Sequence, residues 1–168
     1  MTPQEALEKL VYLIREYYHI DKYPNVVDKL CNECDIETFR FAMQNNLGYE
    51  QIHLTKLGLN EPFHRASLLG FNTDDNFVWY LIDPTYGQFF EDKEFKTYMF
   101  KTNPIFCNAL LNDGFIKLSI ENLLCYINGF IHCYNKEINP NTIYENLYNL
   151  LKSTNIINEV DNHLYTKK

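Results

Sequence analysis

Residues 77–89 read FVWYLIDPTYGQF, and this stretch decides the fold class. Its first six residues are aromatic, aliphatic or β-branched, which predicts a strand over Phe77–Ile82. Asp83-Pro84 ends that strand, because proline cannot donate to a strand ladder and because both residues favour turns. The sequence therefore predicts a carboxylate at the end of a strand.

Two further strands are predicted upstream of this one. Tyr49–Leu54 and Phe63–Phe71 have a similar composition, and residues 72–76, NTDDN, supply a turn between the second and the third strand. His64 lies on the second predicted strand and Asp83 at the end of the third. Because neighbouring antiparallel strands place residues opposite each other, we expect the imidazole and the carboxylate to lie side by side.

Helical patterns precede the strands. Thr2, Pro3 and Glu5 form a helix start with a capping box, and the apolar periodicity after them extends to about His19. Residues 21–25 contain a proline and are predicted as a loop. The chain is therefore expected to open with an amphipathic helix.

A second helix is predicted over Asp35–Asn46, with Gly48 as its stop. Cys34 then stands at the amino terminus of this helix. The apolar residues recur at steps of three and four and are expected to form its buried face: Ile36, Phe39, Met43 and Leu47.

The remainder of the chain is predicted to be mostly helical, over residues 103–113, 119–134 and 141–153, with a charged connection over residues 91–96. Two helices, three strands and then more helices are the element order of an α+β domain. Seven aromatic side chains are expected in its core: Phe39, Phe41, Phe63, Phe77, Trp79, Phe89 and Phe90.

Composition limits the classes of function. The chain has 168 residues, a net charge of −7 and 46% hydrophobic residues, which predicts a single domain over residues 1–168. Affinity for nucleic-acid phosphates needs clustered Lys and Arg, and the net negative charge of this chain argues against such clusters. No apolar run approaches the ~18 residues of a membrane span. We therefore expect neither a nucleic-acid partner nor a membrane span.

The amino terminus and the cysteines bear on the compartment. The opening MTPQEALEKL lacks the basic, apolar and small-residue regions of a signal peptide. The five cysteines are odd in number and irregularly spaced, which is a poor disulfide framework. We expect a cytoplasmic protein, or one that is secreted as an effector without a cleaved signal peptide.

Three residues are candidates for a thiol-based catalytic site. Cys34 would be the nucleophile, because the positive end of a helix dipole favours the thiolate. His64 would be the general acid and base, and Asp83 would orient it. Cys31, three residues earlier, is the alternative nucleophile. Cys34 is preferred because it stands closer to the apolar periodicity of the predicted helix.

The same two cysteines admit other interpretations. Cys31-x-x-Cys34 could be half of a zinc site, but no second CxxC or HxxxH pattern supplies two more ligands. It could also be a redox pair, but no βαβ pattern flanks it. We therefore expect no metal and no other cofactor.

The segment from Trp79 to Phe89 resembles the Asp-Pro-Thr motif of transglutaminase-like, papain-fold proteins. Its Asp-Pro-Thr-aromatic-x-Gln-Phe form is similar to bacterial toxin and effector members that deamidate glutamine. Residues 34–41, CDIETFRF, resemble the nucleophile helix of that superfamily, and His64 with Asp83 resembles its histidine–aspartate pair. The superfamily usually has a glycine shortly before the nucleophile, whereas Asn-Glu stands there in this chain.

The resemblance implies a papain-like (transglutaminase-like) α+β fold, in which the nucleophile helix packs on a small antiparallel sheet and the carboxy-terminal part is helical. It implies a triad of Cys34, His64 and Asp83, no cofactor, and a protein or peptide substrate that bears a glutamine. The expected reaction is protein-glutamine deamidation or transglutamination. The alternatives are a cysteine peptidase of the same fold and a non-enzymatic protein-interaction domain with a degenerate triad.

Overall fold

The computed structural model describes residues 2–17, 31–74, 76–154 and 156. The first part of the chain comprises helix α1, Pro3–Tyr17, helix α2, Cys31–Gln44, and strands β1, Gly48–His53, β2, Arg65–Asn72, and β3, Phe77–Ile82. The second part comprises a short 3-10 helix, Tyr86–Glu91, then α3, Lys93–Thr102, α4, Pro104–Asp113, strand β4, Phe115–Lys117, α5, Ile120–Tyr134, and α6, Pro140–Ser153. The predicted α+β class is confirmed.

The strands form one antiparallel sheet in the order β1-β2-β3-β4. In this sheet Ser67 on β2 lies opposite Ile82 on β3. The three predicted strands are present, and β3 occupies the predicted residues. The fourth strand, Phe115–Lys117, is absent from the prediction because three residues are too few to show a period of two.

The first helix starts as its capping box predicts. Thr2 Oγ1 accepts a hydrogen bond from the Glu5 backbone N–H at 3.2 Å and donates one to Glu5 Oε1 at 3.0 Å. These bonds satisfy one of the amide groups that have no partner within a helix. The loop predicted over residues 21–25 lies outside the described residues.

The second helix differs from its prediction at both ends. It runs over Cys31–Gln44, so it already includes Cys31, and Cys34 is its fourth residue. Asn46 adopts the left-handed conformation with φ of 55°, which asparagine tolerates better than most residues. Gly48, predicted to stop the helix, is the first residue of β1.

The sheet separates two buried hydrophobic layers, and consecutive residues of one strand belong to different layers. Leu68 packs in the larger layer, which is covered by α3, α4, α5 and α6. Leu69 packs in the smaller layer, which is covered by α1 and α2. This alternation follows from the pleat of a strand, which points successive side chains to opposite faces.

The buried face of α2 is not the predicted one. The buried residues are Cys34, Asp35, Thr38 and Ala42. The predicted apolar residues Ile36, Phe39 and Met43 are 48%, 45% and 51% exposed. Two polar side chains take the buried positions because they find partners there. Asp35 binds donors from the sheet, and Thr38 Oγ1 donates to the Cys34 carbonyl at 2.8 Å.

The predicted aromatic core is correct for the last three of its members and wrong for others. Trp79, Phe89 and Phe90 are buried, whereas Phe63 is 62% exposed and Phe77 is 39% exposed. Phe41 is partly buried against the smaller layer.

The charged segment predicted as a connection contains the start of helix α3. Asp92 caps this helix by accepting from the Glu94 and Phe95 backbone N–H groups at 2.9 and 3.2 Å. Phe95 and Met99 anchor the helix in the larger layer. Across the described ranges, each helix is too short or too polar to cross a membrane.

Candidate active site

His64 lies one residue before β2, rather than on a strand as predicted. Its carbonyl accepts from the Leu54 N–H at 3.1 Å, which extends the pairing with the chain after β1. The ring of Phe89 meets the imidazole edge-on, with 4.8 Å between ring centroids, and Phe130 lies behind at 6.5 Å. The imidazole is therefore enclosed by aromatic side chains and held in one orientation.

Asp83 directly follows β3, as predicted, and its backbone N–H donates to the Gly114 carbonyl at 2.8 Å. The antiparallel pairing of β2 with β3 brings this residue beside His64. His64 Nε2 lies 2.8 Å from Asp83 Oδ2, and both side chains are 1% exposed. The expected juxtaposition of imidazole and carboxylate is therefore present, in a fully buried setting.

Two further side chains fix the Asp83 carboxylate. The Tyr126 hydroxyl, on α5, donates to Oδ2 at 2.7 Å, and the Thr85 hydroxyl donates to Oδ1 at 3.2 Å. An ionised carboxylate only accepts hydrogen bonds, so its contact with His64 assigns the proton at Nε2 to the imidazole. Nδ1 is then the ring nitrogen that would exchange a proton with a nucleophile.

Cys34 lies in the smaller layer, on the first turn of α2, and is 3% exposed. The predicted position of this thiol at the helix amino terminus is wrong, because the helix already begins at Cys31. The helix dipole therefore favours the thiolate of Cys34 less than it would at the first helical residue, because its effect falls off within the first turn. The backbone of Cys31 is described, but its side chain lies outside the described part.

The first turn of α2 is attached to the sheet through Asp35. This buried carboxylate accepts from Ser67 Oγ on β2 at 2.8 Å. It also accepts from the Tyr49 hydroxyl and from Gln51 Nε2, both on β1. Burial and the hydrogen bond to Asp35 raise the pKa of Tyr49, which keeps its hydroxyl protonated as a donor. Cys34 is thereby held next to a residue that two strands fix.

The two parts of the site meet at the end of the sheet. Ser67, which binds Asp35, is three residues after His64 and lies opposite Ile82, the residue before Asp83. The structure thus brings His64 and Asp83 into direct contact. It places Cys34 on the helix that is hydrogen-bonded to the same strand, within the layer on the other face of the sheet.

Sequence reasoning missed most of the groups that orient the site: Asp35, Tyr49, Gln51, Ser67, Thr85 and Tyr126. Thr85 had a usable signal, because aspartate and threonine side chains commonly form hydrogen bonds within turns. Tyr126 had none, since it is 43 residues from Asp83 in the chain.

The thiols of the larger layer have a different environment. Burial raises the pKa of Cys107 to about 12 and that of Cys133 to about 11. Burial also raises the pKa of Cys125. Since the thiolate is the reactive form, these groups are suited to packing rather than to nucleophilic attack. Within the described residues, no three His, Cys, Asp or Glu side chains are grouped so that they could hold a metal ion.

Comparisons of the chain with protein-family models, with curated proteins and with solved structures find no match.

Proposed function

We propose that this chain is a cysteine-dependent acyl-transfer enzyme with a papain-like (transglutaminase-like) fold, acting on glutamine side chains of a protein or peptide. The observation that supports it best is the buried contact between His64 Nε2 and Asp83 Oδ2 at 2.8 Å, at the end of two paired strands. An imidazole oriented by a carboxylate is the general base that a thiol nucleophile requires.

The proposed reaction has two halves. In the first, the nucleophilic thiol, Cys34 or the alternative Cys31, loses its proton to His64 Nδ1 and its sulfur attacks the carboxamide carbon of glutamine. The tetrahedral intermediate collapses to a thioester as ammonia leaves with the proton returned by His64. In the second, His64 removes a proton from water, the hydroxide attacks the thioester, and the reprotonated thiol leaves. Glutamate is the product.

Asp83 would act through His64 rather than on the substrate. It would hold the imidazole with Nδ1 directed to the nucleophile and would stabilise the imidazolium that forms in each half-reaction. Tyr126 and Thr85 would in turn keep the carboxylate in place. If an amine replaces water in the second half-reaction, the same site performs transglutamination.

Thiol reactivity tests the nucleophile. Iodoacetamide labelling of the folded chain, followed peptide by peptide with mass spectrometry, gives a rate for each cysteine against pH. We expect Cys34 to label fastest, with a midpoint below the ordinary thiol pKa of about 8.5. Cys34→Ala should abolish the fast phase, and His64→Gln should raise its midpoint. If only Cys31→Ala removes the fast phase, Cys31 is the nucleophile instead.

Product analysis tests the reaction. With an amino-protected glutaminyl-glycine dipeptide, we expect release of ammonia that Cys34→Ala abolishes. Formation of the hydroxamate with hydroxylamine would identify transglutamination as a competing outcome. Cleavage of the peptide bond, with the carboxamide intact, would favour the peptidase instead.

A second candidate is a non-enzymatic protein-interaction domain in which His64 and Asp83 are a structural pair. Complete burial favours it, because the two side chains are each 1% exposed and Cys34 is 3% exposed. This candidate predicts an ordinary labelling midpoint for both Cys31 and Cys34. It also predicts that His64→Gln changes stability but leaves the labelling rates unchanged.

A further inference from the structure

The residues on either side of His64 form a surface that the proposed reaction does not use. Phe63 is 62% exposed, although it directly precedes the proposed general base. The Arg65 guanidinium lies over the Phe63 ring, 5.8 Å from its centroid, and the His53 ring meets Phe63 edge-on with 5.4 Å between centroids. His53 and Arg65 lie opposite each other on β1 and β2. Lys56 is exposed and lines a cavity together with His53. The basic–aromatic surface comprises His53, Lys56, Phe63 and Arg65.

Both cations of the basic–aromatic surface lack an ionic partner. In the parts of the chain that the structure describes, no carboxylate forms an ion pair with Arg65 or Lys56. The Nε atom of Arg65 is buried and has no hydrogen-bond acceptor among the described residues. Buried donors without a partner are rare in native proteins. The fold therefore positions the Arg65 guanidinium, which stays protonated, without neutralising its charge.

The carboxylates around this surface have other partners or point to solvent. Asp35 accepts from donors on the first two strands. Glu50 lines the same cavity as Lys56, and its Oε1 accepts from the Gln51 backbone N–H at 3.0 Å. Glu61 is exposed in the loop before β2. The cations of the surface are thus open to a carboxylate from another molecule.

The electrostatics of His53 agree with this arrangement. Burial lowers the pKa of His53, and the charges of Arg65 and Lys56 lower it further, whereas Asp35 acts in the opposite direction. His53 is therefore neutral at pH 7, and its Nδ1 lies 2.9 Å from the Thr55 hydroxyl oxygen. The positive charge of the surface comes from the arginine and the lysine.

The surface adjoins the proposed catalytic groups. Side chains two residues apart on a strand share a face of the sheet and are about 7 Å apart. Ser67, two residues after Arg65, binds Asp35 in the first turn of α2. His64, one residue before Arg65, directs its ring toward Phe89 of the larger layer. A peptide on this surface therefore lies beside the helix that carries Cys34 and beside the strand end that carries the imidazole.

We infer that the basic–aromatic surface selects substrates in which an acidic residue neighbours the glutamine. The Arg65 guanidinium donates to the carboxylate of that residue, and the exposed Phe63 ring packs against its methylene groups. Charge complementarity identifies this occupant, because the planar guanidinium matches a carboxylate. The inference rests on the proposed function, since it names the substrate class of that site.

The test compares two blocked pentapeptides whose central glutamine is flanked by two glutamates in one and by two lysines in the other. Ammonia release by the wild-type chain gives kcat and KM. Fluorescence anisotropy gives the Kd of labelled analogues in which methionine, which cannot be deamidated, replaces the glutamine. We expect Kd and KM to be about fivefold lower for the glutamate-flanked peptide, with similar kcat, as for one partly exposed charge pair. The net charge of −7 alone would favour the lysine-flanked peptide, so this preference identifies a local site.

Variants assign the preference to the surface. Arg65→Gln should remove it, and Arg65→Glu should reverse it. Phe63→Ala should raise the Kd of both peptides while Arg65 keeps the preference. Lys101→Gln, at an exposed side chain in the last turn of α3, changes the net charge by the same amount and is the matched control, which should retain the full preference. A full preference in folded Arg65→Gln overturns the inference.

The outcomes separate this inference from the function on which it rests. Absence of ammonia release from both peptides overturns the proposed function, and anisotropy then still shows whether the surface binds acidic peptides. Ammonia release from both peptides with equal KM and equal Kd overturns the inference alone.

Should the Arg65 variants fail to fold, two further measurements decide. Raising the NaCl concentration from about 0.05 M to about 0.5 M should weaken the preference of the wild-type chain, because salt screens partly exposed charges. Lys56→Gln alters an exposed side chain and should reduce the preference about twofold. A preference that neither salt nor Lys56→Gln reduces contradicts the inference.

Discussion

Two aspartates are buried near the candidate site: Asp83 contacts His64, and Asp35 lies on the helix that carries Cys34. Their hydrogen-bond partners differ. Asp83, 2% exposed, shares its carboxylate between an imidazole and two hydroxyls. Asp35, 6% exposed, accepts from three neutral donors among the described residues: a phenol, an amide and a hydroxyl. Of these described partners, only those of Asp83 include an imidazole, which can both donate and accept a proton.

This difference separates a carboxylate that could take part in catalysis from one that stabilises the fold. The partners of Asp35 hold α2 against the first two strands, and none of them is a group that commonly transfers protons. Asp83 instead orients the His64 imidazole, which can transfer a proton. The comparison teaches that burial of a carboxylate does not by itself indicate catalysis, whereas the identity of its partner does.

The largest expected effect follows from breaking the buried pair. Asp83→Ala leaves the imidazole and the Tyr126 hydroxyl without their acceptor, in a setting that excludes water. We expect a loss of about 3 kcal/mol in the free energy of unfolding, measured by urea denaturation, together with loss of fast thiol labelling. Asp74→Ala, at an exposed turn, is the control and should stay within about 0.5 kcal/mol. A loss below about 1 kcal/mol for Asp83→Ala would contradict the importance of the pair.

The second effect tests the other aspartate. Asp35→Ala removes the acceptor of Tyr49, Gln51 and Ser67, and we expect it to cost about 2 kcal/mol or more in the same measurement. Asp35→Asn keeps one acceptor oxygen and should cost less. Glu37→Ala, two residues away with an exposed ion pair to Arg40, is the matched control and should have little effect. Equal stability of Asp35→Ala and Glu37→Ala would show that the hydrogen bonds of Asp35 do not hold α2 on the sheet.

A smaller effect sharpens the description of Asp83. Tyr126→Phe deletes one hydrogen bond to the carboxylate but keeps the contact with His64. We expect a cost of about 1 kcal/mol. Tyr12→Phe, at a side chain that is 64% exposed, removes the same atom from a solvated site and should be neutral. Identical stabilities for the two variants would mean that the Tyr126 hydroxyl contributes nothing to the buried network.

The smallest effect concerns the surface of α2. Met43 is 51% exposed, so Met43→Gln should change the free energy of unfolding by about 0.5 kcal/mol or less. The adjacent Ala42 is fully buried, and Ala42→Gln forces a longer polar group into the core at a cost of about 2 kcal/mol or more. A larger loss of stability for Met43→Gln than for Ala42→Gln would instead support the buried face that the apolar periodicity predicts.

The fold could be predicted wherever one kind of signal dominated. The strand Phe77–Ile82 has a strong strand composition and a proline stop, and it forms where expected. The capping box at Thr2 likewise starts α1. By contrast, β4 is too short to show a pattern, and the face of α2 was misassigned because periodicity records hydrophobicity and not hydrogen bonding. Asp35 and Thr38 are polar in the sequence, yet they are buried because their partners lie on other elements or one turn away.

The candidate site divides in the same way. The pairing of His64 with Asp83 could be predicted, because two neighbouring antiparallel strands bring their facing ends together over a short stretch of chain. The contribution of Tyr126 could not, since it reaches the site from a helix distant in sequence. The sequence pattern also predicted that α2 starts beside Cys34, whereas in the structure α2 begins at Cys31.

By itself, the amino-acid sequence determined the first three strands, most of the helices and the pair of residues that strand pairing joins, because these depend on local composition and short-range order. Only the tertiary structure decided which side of α2 is buried and which hydroxyls hold Asp83. Those features depend on hydrogen bonds and charges between elements far apart in the chain, and long-range contacts leave no periodic trace in a single sequence.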